Sequence, residues 1–164
     1  MNTSAAKSPV SKAVKYLVCV DHRPESWAAL RLGCLKAQAR GGKVDVLHII
    51  APADFQTLGA VADRMREERR KEGEQLLAKL ANDAATLYGI APNIILREGE
   101  TGDEIIEASL QDPDIIMVVI GIAQQHASRG SLAAWLAAQR GSRMFTPLLM
   151  VPGNLTDQQL LNLV

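Results

Sequence analysis

Charge of one sign is missing from this sequence: 18 Lys and Arg balance 18 Asp and Glu. A chain without net charge has no long-range field to draw nucleic acid or an anionic membrane. It has instead the near-neutral balance that favours self-association. Aromatic residues are as sparse, at 4%. None is interleaved with the basic stretch from Arg64 to Lys71, whose acids also cancel its charge, so that stretch does not read as an RNA-binding face. Two cysteines, Cys19 and Cys34, are too scattered for a disulfide framework and read as buried free thiols in a reducing compartment. No apolar run approaches the ~18 residues that span a membrane. Residues 1–14, rich in Ser, Ala and Lys, lack the apolar core of a secretory signal and are expected to form a disordered tail. The expectation is a cytoplasmic protein with neither membrane nor nucleic acid as partner.

The signatures of several enzyme classes are absent too. Neither a Walker loop nor Gly-x-Gly-x-x-Gly occurs. Asp21, His22 and a serine such as Ser26 or Ser131 supply the residue types of a hydrolytic triad. However, there is no Gly-x-Ser-x-Gly elbow, and adjacent Asp and His rarely orient each other. Cys19, His22, His48 and His126 lack the spacing of a metal-ligand set. A phospho-acceptor site of receiver type would need an acidic pair after the first strand and an Asp after the third. The chain has lone Asp21 and then Arg97-Glu98. The sequence therefore predicts no enzyme, with weak nucleotide hydrolysis through Asp21 or His126 as the one catalytic alternative.

What is present is alternation. Apolar, β-branched runs at Tyr16–Val20, Val44–Ile50, Asn93–Leu96, Ile115–Ile120 and Pro147–Val151 predict five strands. Helical patterns fall between them. The first runs from about Pro24 to Arg40, with Trp27, Leu30, Cys34 and Ala37 on one face and Gly41-Gly42 as its stop. The second spans about Val61–Tyr88 with a stripe of Leu77, Leu80, Ala84 and Leu87, and its charged half offers the pairs Arg64/Glu68, Glu67/Lys71 and Arg70/Glu74. Thr101-Gly102-Asp103-Glu104 reads as a capping box opening the third, and the fourth covers about Ser131–Arg140. This order predicts right-handed crossovers and a parallel sheet covered on both faces. His48 reads as a strand residue at an edge or switch point. One domain is expected over residues 15–153. The tail 154–164 has the makings of a short helix whose Leu160, Leu161 and Val164 share a face.

Open sheets of this kind bind ligands at the carboxyl ends of their strands. Asp21 ends the first strand and can accept from ribose hydroxyls. Gly121 ends the fourth strand, and Gly130-Ser131 opens the helix after it. There, close backbone approach and free amides suit phosphate. Each residue also has a purely structural role open to it: Asp21 as a cap of the first helix, Gly121 as a tight turn, and Ser128 or Ser131 as an N-cap.

The strand Tyr16-Leu17-Val18-Cys19-Val20-Asp21, the strand end Leu47-His48-Ile49-Ile50, the run Ile115–Gly121 and the closing Pro147-Leu148-Leu149-Met150-Val151-Pro152 together resemble the universal stress protein family. The resemblance covers about residues 15–153. It implies a three-layer, Rossmann-like, doubly wound sheet of five parallel strands in the order 3-2-1-4-5, of the adenine nucleotide alpha-hydrolase-like type. It implies a homodimer through the last strand, residues 147–151. It also implies ATP or AMP in the crevice between strands one and four, with Mg²⁺ entering only through the phosphates. The residues implied are Val20, Asp21 on the ribose side, Ile49 through its backbone on the adenine side, and Gly121, Gly130 and Ser131 on the phosphate side. Binding members carry Gly-x-x-Gly, nine residues, then Gly-Ser or Gly-Thr. Here the second glycine position is Gln124, and without a gap the closing pair falls on Ala134-Trp135. The adenine and ribose half is thus better matched than the phosphate half. The alternative is a protein of the same fold that binds no nucleotide and acts through its surface, with Leu160, Leu161 and Leu163 as the contact.

Overall fold

The computed structural model describes residues 13–52, 59–123, 131–139 and 141–164. Most of the expected tail at 1–14, and Gln124, His126, Ser128 and Gly130, lie outside the described residues. In chain order the elements are β1 (Lys15–Cys19), α1 (Glu25–Arg40), β2 (Lys43–Ile50), α2 (Ala60–Tyr88), β3 (Asn93–Glu98), α3 (Thr101–Gln111), β4 (Ile115–Ile122), α4 (Leu132–Ala138), β5 (Leu148–Pro152) and α5 (Asp157–Leu161). The five strands form one parallel sheet in the order β3-β2-β1-β4-β5.

Alternation along the strands divides the core in two. Tyr16, Val18 and Val20 of β1 and its extension face α1 and α2, together with Val44 and Val46 of β2 and Val119 of β4. Leu17, Leu47, Val118 and Ile120 face α3 and α4, where Ile105, Ile106 and Leu136 cover them. Both faces of the central strands are dry, which is why β4 reads as an unbroken apolar run. Each fully buried Leu, Ile or Val contributes about 1.5–3 kcal/mol of hydrophobic transfer. Close approach of α1 to β1 depends on Gly33, where a Cβ would stand 2.6 Å from Val18 Cγ2.

The structure corrects several sequence expectations. β3 runs two residues past Leu96 and β4 two past Ile120, because parallel pairing with β2 and β5 continues there. Leu87 is 61% exposed; the buried stripe of α2 is Gly73, Leu77, Leu80 and Ala84, and it ends before the last turn clears the sheet. Thr101 is the first helical residue rather than a cap: the N-cap of α3 is Glu100, with no side-chain bond. Glu104 turns instead toward Arg97, 3.1 Å away. Arg64/Glu68 and Arg70/Glu74 form at 3.8 and 3.3 Å, while Arg66 leaves the helix surface to pair with Glu98 at 2.8 Å. His48 is not at a sheet edge. β2 lies inside the sheet, and the buried His48 ring reaches the Val20 carbonyl.

The last turn of chain packs on α1. Leu160 is fully buried in the α1 and α2 core, Arg31 pairs with Asp157, and Lys36 Nζ donates to the Leu163 carbonyl at 2.8 Å. Leu161, Leu163 and Val164 stay exposed. Among the described residues no helix is long and apolar enough to cross a membrane.

Candidate functional site

The strand order reverses between β1 and β4, and there the two crossovers leave the sheet on opposite faces. A crevice must open at that point. The register brings Cys19 beside both Leu47 and Ile120, so three strands end side by side. A cavity of about 260 Å³ lies at this junction, lined by Cys19, Val20, Asp21, Ile49, Thr101 and Gly121 among others. Of the six residues singled out from sequence, four thus border one crevice. Ser131 does not: it lines a neighbouring cavity beside α4. Gly130 lies outside the described residues.

Val20 is held from both sides. Its N–H donates to the Leu47 carbonyl at 2.9 Å, and its carbonyl lies 2.8 Å from His48 Nδ1. A carbonyl only accepts, so His48 carries its proton on Nδ1. This bond pins the last peptide before Asp21 and explains why a polar ring sits on an otherwise apolar strand face.

Asp21 is the most connected group of the crevice. Its Oδ1 accepts from the Arg23 N–H and from the Ser26 hydroxyl, both at 2.9 Å. Its Oδ2 accepts from Arg23 Nε at 2.8 Å and meets Nη2 at 2.7 Å. Its own N–H donates to Ser26 Oγ at 2.8 Å. Asp21 therefore closes the β1–α1 turn and does not cap α1, whose N-cap is Pro24. Burial acts to raise the Asp21 pKa. The bonds from the Arg23 side chain, the Arg23 N–H and Ser26, with the Arg23 charge, outweigh burial and hold the carboxyl below its ordinary value.

A carboxylate offers about four acceptor positions; three take hydrogen bonds from the chain itself, and Arg23 Nη2 stands against Oδ2 beside them. A ribose hydroxyl gains Oδ2 by displacing a donor. Arg23 is the one that can leave, since its side chain is 63% exposed and such ion pairs contribute at most about 1 kcal/mol.

The lowered pKa fixes a pH dependence. A folded-state pKa below the unfolded one stabilises the fold above the ordinary Asp range, and that contribution is lost as pH falls through the folded pKa. Arg23→Ala is expected to cost about 0.5–1 kcal/mol at neutral pH, with the deficit shrinking as pH falls below the ordinary Asp range and through the folded-state pKa. Thermal melts of both proteins from neutral pH into acid check this. A deficit that persists in acid would show that Arg23 acts through packing alone.

Gly121 is a strand residue paired with Val151, not a tight turn. A Cβ there would stand 2.2 Å from the Glu25 carbonyl oxygen, and one at Gly153 would stand 2.6 Å from Glu25 Cγ. The two glycines let the first turn of α1 settle onto the ends of β4 and β5. Ser131 caps α4, its hydroxyl accepting from the Ala134 N–H at 3.2 Å. That hydroxyl is already engaged, and a seven-residue helix supplies little dipole.

The triad is not built. Ser26 bonds Asp21 directly, and His22 stacks edge-on against His48 with ring centroids 5.6 Å apart. Burial pushes the Cys19 thiol up to about 12, which leaves no thiolate nucleophile in the crevice. Among the described residues no cluster of three or more His, Cys, Asp or Glu could hold a metal. Sequence reading missed Arg23 and Thr101 as crevice residues. The signal for both was their place just after β1 and β3, Arg23 in the turn before α1 and Thr101 opening α3, at the carboxyl edge of the sheet.

The model of the universal stress protein family matches residues 15–151. The fold is shared with a universal stress family protein from Burkholderia pseudomallei, at 20% identity and TM-score 0.68 over 88% of this chain and 99% of that one. It is shared with UspA from Lactobacillus plantarum, at 18% identity and TM-score 0.71 over 86% and 99%. A third likeness is the universal stress protein from Archaeoglobus fulgidus in complex with dAMP, at 21% identity and TM-score 0.62 over 85% and 98%. Among curated proteins none matches in sequence. With the sheet order, the crevice at its reversal and a family match over most of the chain, the protein belongs to the universal stress protein family.

Proposed function

We propose that the protein is a non-enzymatic, cytoplasmic regulator that binds an adenine nucleoside monophosphate in the β1–β4 crevice. The observation that carries this reading is the crevice itself, a slot of mixed apolar and polar walls between β1, β2 and β4 that ends on the carboxylate of Asp21. Universal stress proteins of this fold have been captured with cAMP, dAMP and AMP, which supports an adenine ligand. Adenine would lie against Leu47 and Ile49, and the ribose would replace Arg23 on Asp21. AMP is favoured over ATP because the described phosphate side has one cation, Arg23, a serine already engaged in capping, and a short helix. Mg²⁺ would enter only with a longer phosphate chain.

Calorimetry with AMP, and with ATP with and without Mg²⁺, is the test. AMP is expected to bind, and Asp21→Ala to weaken it about tenfold, the loss of one hydrogen bond to a charged group. No heat from any nucleotide at millimolar concentration would sink the reading.

The engagement of both Asp21 oxygens by its own chain favours a second reading, in which the crevice stays closed and the protein acts as a dimer without nucleotide. In both readings the dimer forms through β5, the edge strand of the sheet, where Met150 is 43% and nearby Phe145 72% exposed. An open edge with exposed apolar groups is a ready template for pairing.

A further inference from the structure

Beside the nucleotide crevice lies a second and larger cavity, of about 480 Å³, between the start of α1, the end of β4 and α4. The two adjoin: Arg23, Ile120, Gly121 and Leu132 border both. The walls of the second chamber are apolar, built from Pro24, Ile122, Ala123, Ala133, Ala134 and Ala137 with Met150 at the outer end. We infer that the two chambers form one bipartite site for a nucleotide carrying an aliphatic acyl group on its phosphate. The nucleoside occupies the crevice and the acyl chain the apolar chamber. This rests on the adenine-binding reading and narrows its ligand class.

Three observations converge on it. The sequence of α4, Leu-Ala-Ala-Trp-Leu-Ala-Ala, has no polar residue. A short surface helix facing water on one side has no reason to be apolar all round. Leu136 is spent on the core, and Trp135 packs against α3, where a Cβ on Gly102 would meet its ring at 2.3 Å. Ala133, Ala134 and Ala137 are left to line the chamber, and their small size makes the room.

Charge is the second observation. Among the described residues, the charged groups lining the two chambers are Asp21, Glu25 and Arg23, two acids and one base. A polyphosphate chain would place several negative charges beside a lining that is itself net acidic. An acylated phosphate carries a single negative charge, and one cation suffices for it.

The position of that cation is the third. Arg23 borders both chambers, and it is the donor that a ribose would displace from Asp21. Once displaced, its guanidinium stays tethered two residues before α1, within reach of the junction where the phosphate of such a ligand must sit.

The test uses 5′-O-(N-acylsulfamoyl)adenosines, stable singly charged mimics, with acetyl, hexanoyl and decanoyl chains, titrated beside AMP and ATP into the full-length protein. Each methylene buried in an apolar wall multiplies affinity up to about fourfold. The hexanoyl probe, four methylenes longer, is therefore expected to bind several-fold and at most about 250-fold more tightly than the acetyl one, and more tightly than ATP. Ala137→Asp, an exposed position on the chamber wall, is expected to erase the chain-length dependence while leaving AMP binding unchanged. Sedimentation of the variant separates a ligand chamber from a subunit contact. Affinity that ignores chain length while AMP still binds would overturn the inference and leave the adenine reading standing. Binding by neither AMP nor the probes would overturn both. Loss of self-association in Ala137→Asp without any chain-length dependence in the parent would assign the chamber to the subunit contact and overturn the inference.

Discussion

Gly121→Ala is expected to lower stability by about 3 kcal/mol, at the upper end of what overpacking costs. The added methyl would stand 2.2 Å from the Glu25 carbonyl oxygen, 2.4 Å from the Glu25 carbonyl carbon and 2.8 Å from Glu25 Cβ. Two of these are backbone atoms in the first turn of α1, fixed by the helix, so no side-chain rotation relieves the contact. Either the start of α1 lifts from β4 or the end of β4 leaves its pairing with β5. Both routes also move the turn that carries Asp21, so the proposed nucleotide binding should fall with stability. Gly102→Ala is the internal comparison. Its Cβ would meet the Trp135 ring at 2.3 Å, a contact as short, but Trp135 is 37% exposed and on the surface. The ring can swing aside, and a cost nearer ~1 kcal/mol is expected, as for an off-rotamer side chain. Urea denaturation of the two variants ranks them. A Gly121→Ala protein within about 0.5 kcal/mol of wild type would show that α1 and β4 do not approach as described.

The contrast bears on what a sequence can reveal. The alternation of β-branched runs with helical patterns carried the fold class, because a parallel sheet buried on both faces leaves long apolar strands that no other arrangement requires. Asp21 was legible as a crevice residue, because a lone acid directly after a buried strand has few other places to be. Its partners were not. That Arg23 and Ser26 engage both oxygens of the carboxylate depends on the path of one turn, and the same residue types in another turn would leave Asp21 open. Gly121 was legible as special but for a different reason than its structure gives. Glycine at a strand end suits a phosphate loop as well as a helix pressed against the strand, and only the position of Glu25 decides between them. His48 escaped because alternation assigns it to a face but cannot show that the Val20 carbonyl waits there for a donor. Secondary elements follow from local pattern; the occupancy of donors and acceptors follows from tertiary path.

The second large effect is expected at the carboxyl end. Leu160→Ala should destabilise the protein by about 2–4 kcal/mol, although it lies beyond the family match, in a helix of five residues. A helix that short has no stability of its own. What orders α5 is the Leu160 side chain, fully buried against α1, helped by the Thr156–Gln159 capping box, the Arg31–Asp157 ion pair and the bond from Lys36 to the Leu163 carbonyl. The ion pair and the Lys36 bond lie at the surface and contribute little by themselves; the buried leucine dominates. Leu161→Ala, one residue on and 52% exposed, should stay within about 0.5 kcal/mol of wild type. The pair also decides what the leucine-rich tail is for. Were it a contact between subunits, removing residues 154–164 would reduce the sedimenting mass, and Leu161→Ala would weaken association more than Leu160→Ala, since the exposed side chain is the one a partner could reach. With Leu160 seated in its own chain, the truncation should instead lower the unfolding free energy by about as much as Leu160→Ala and leave association as it was. A truncated protein as stable as the full chain would show that the tail is not part of the core at all.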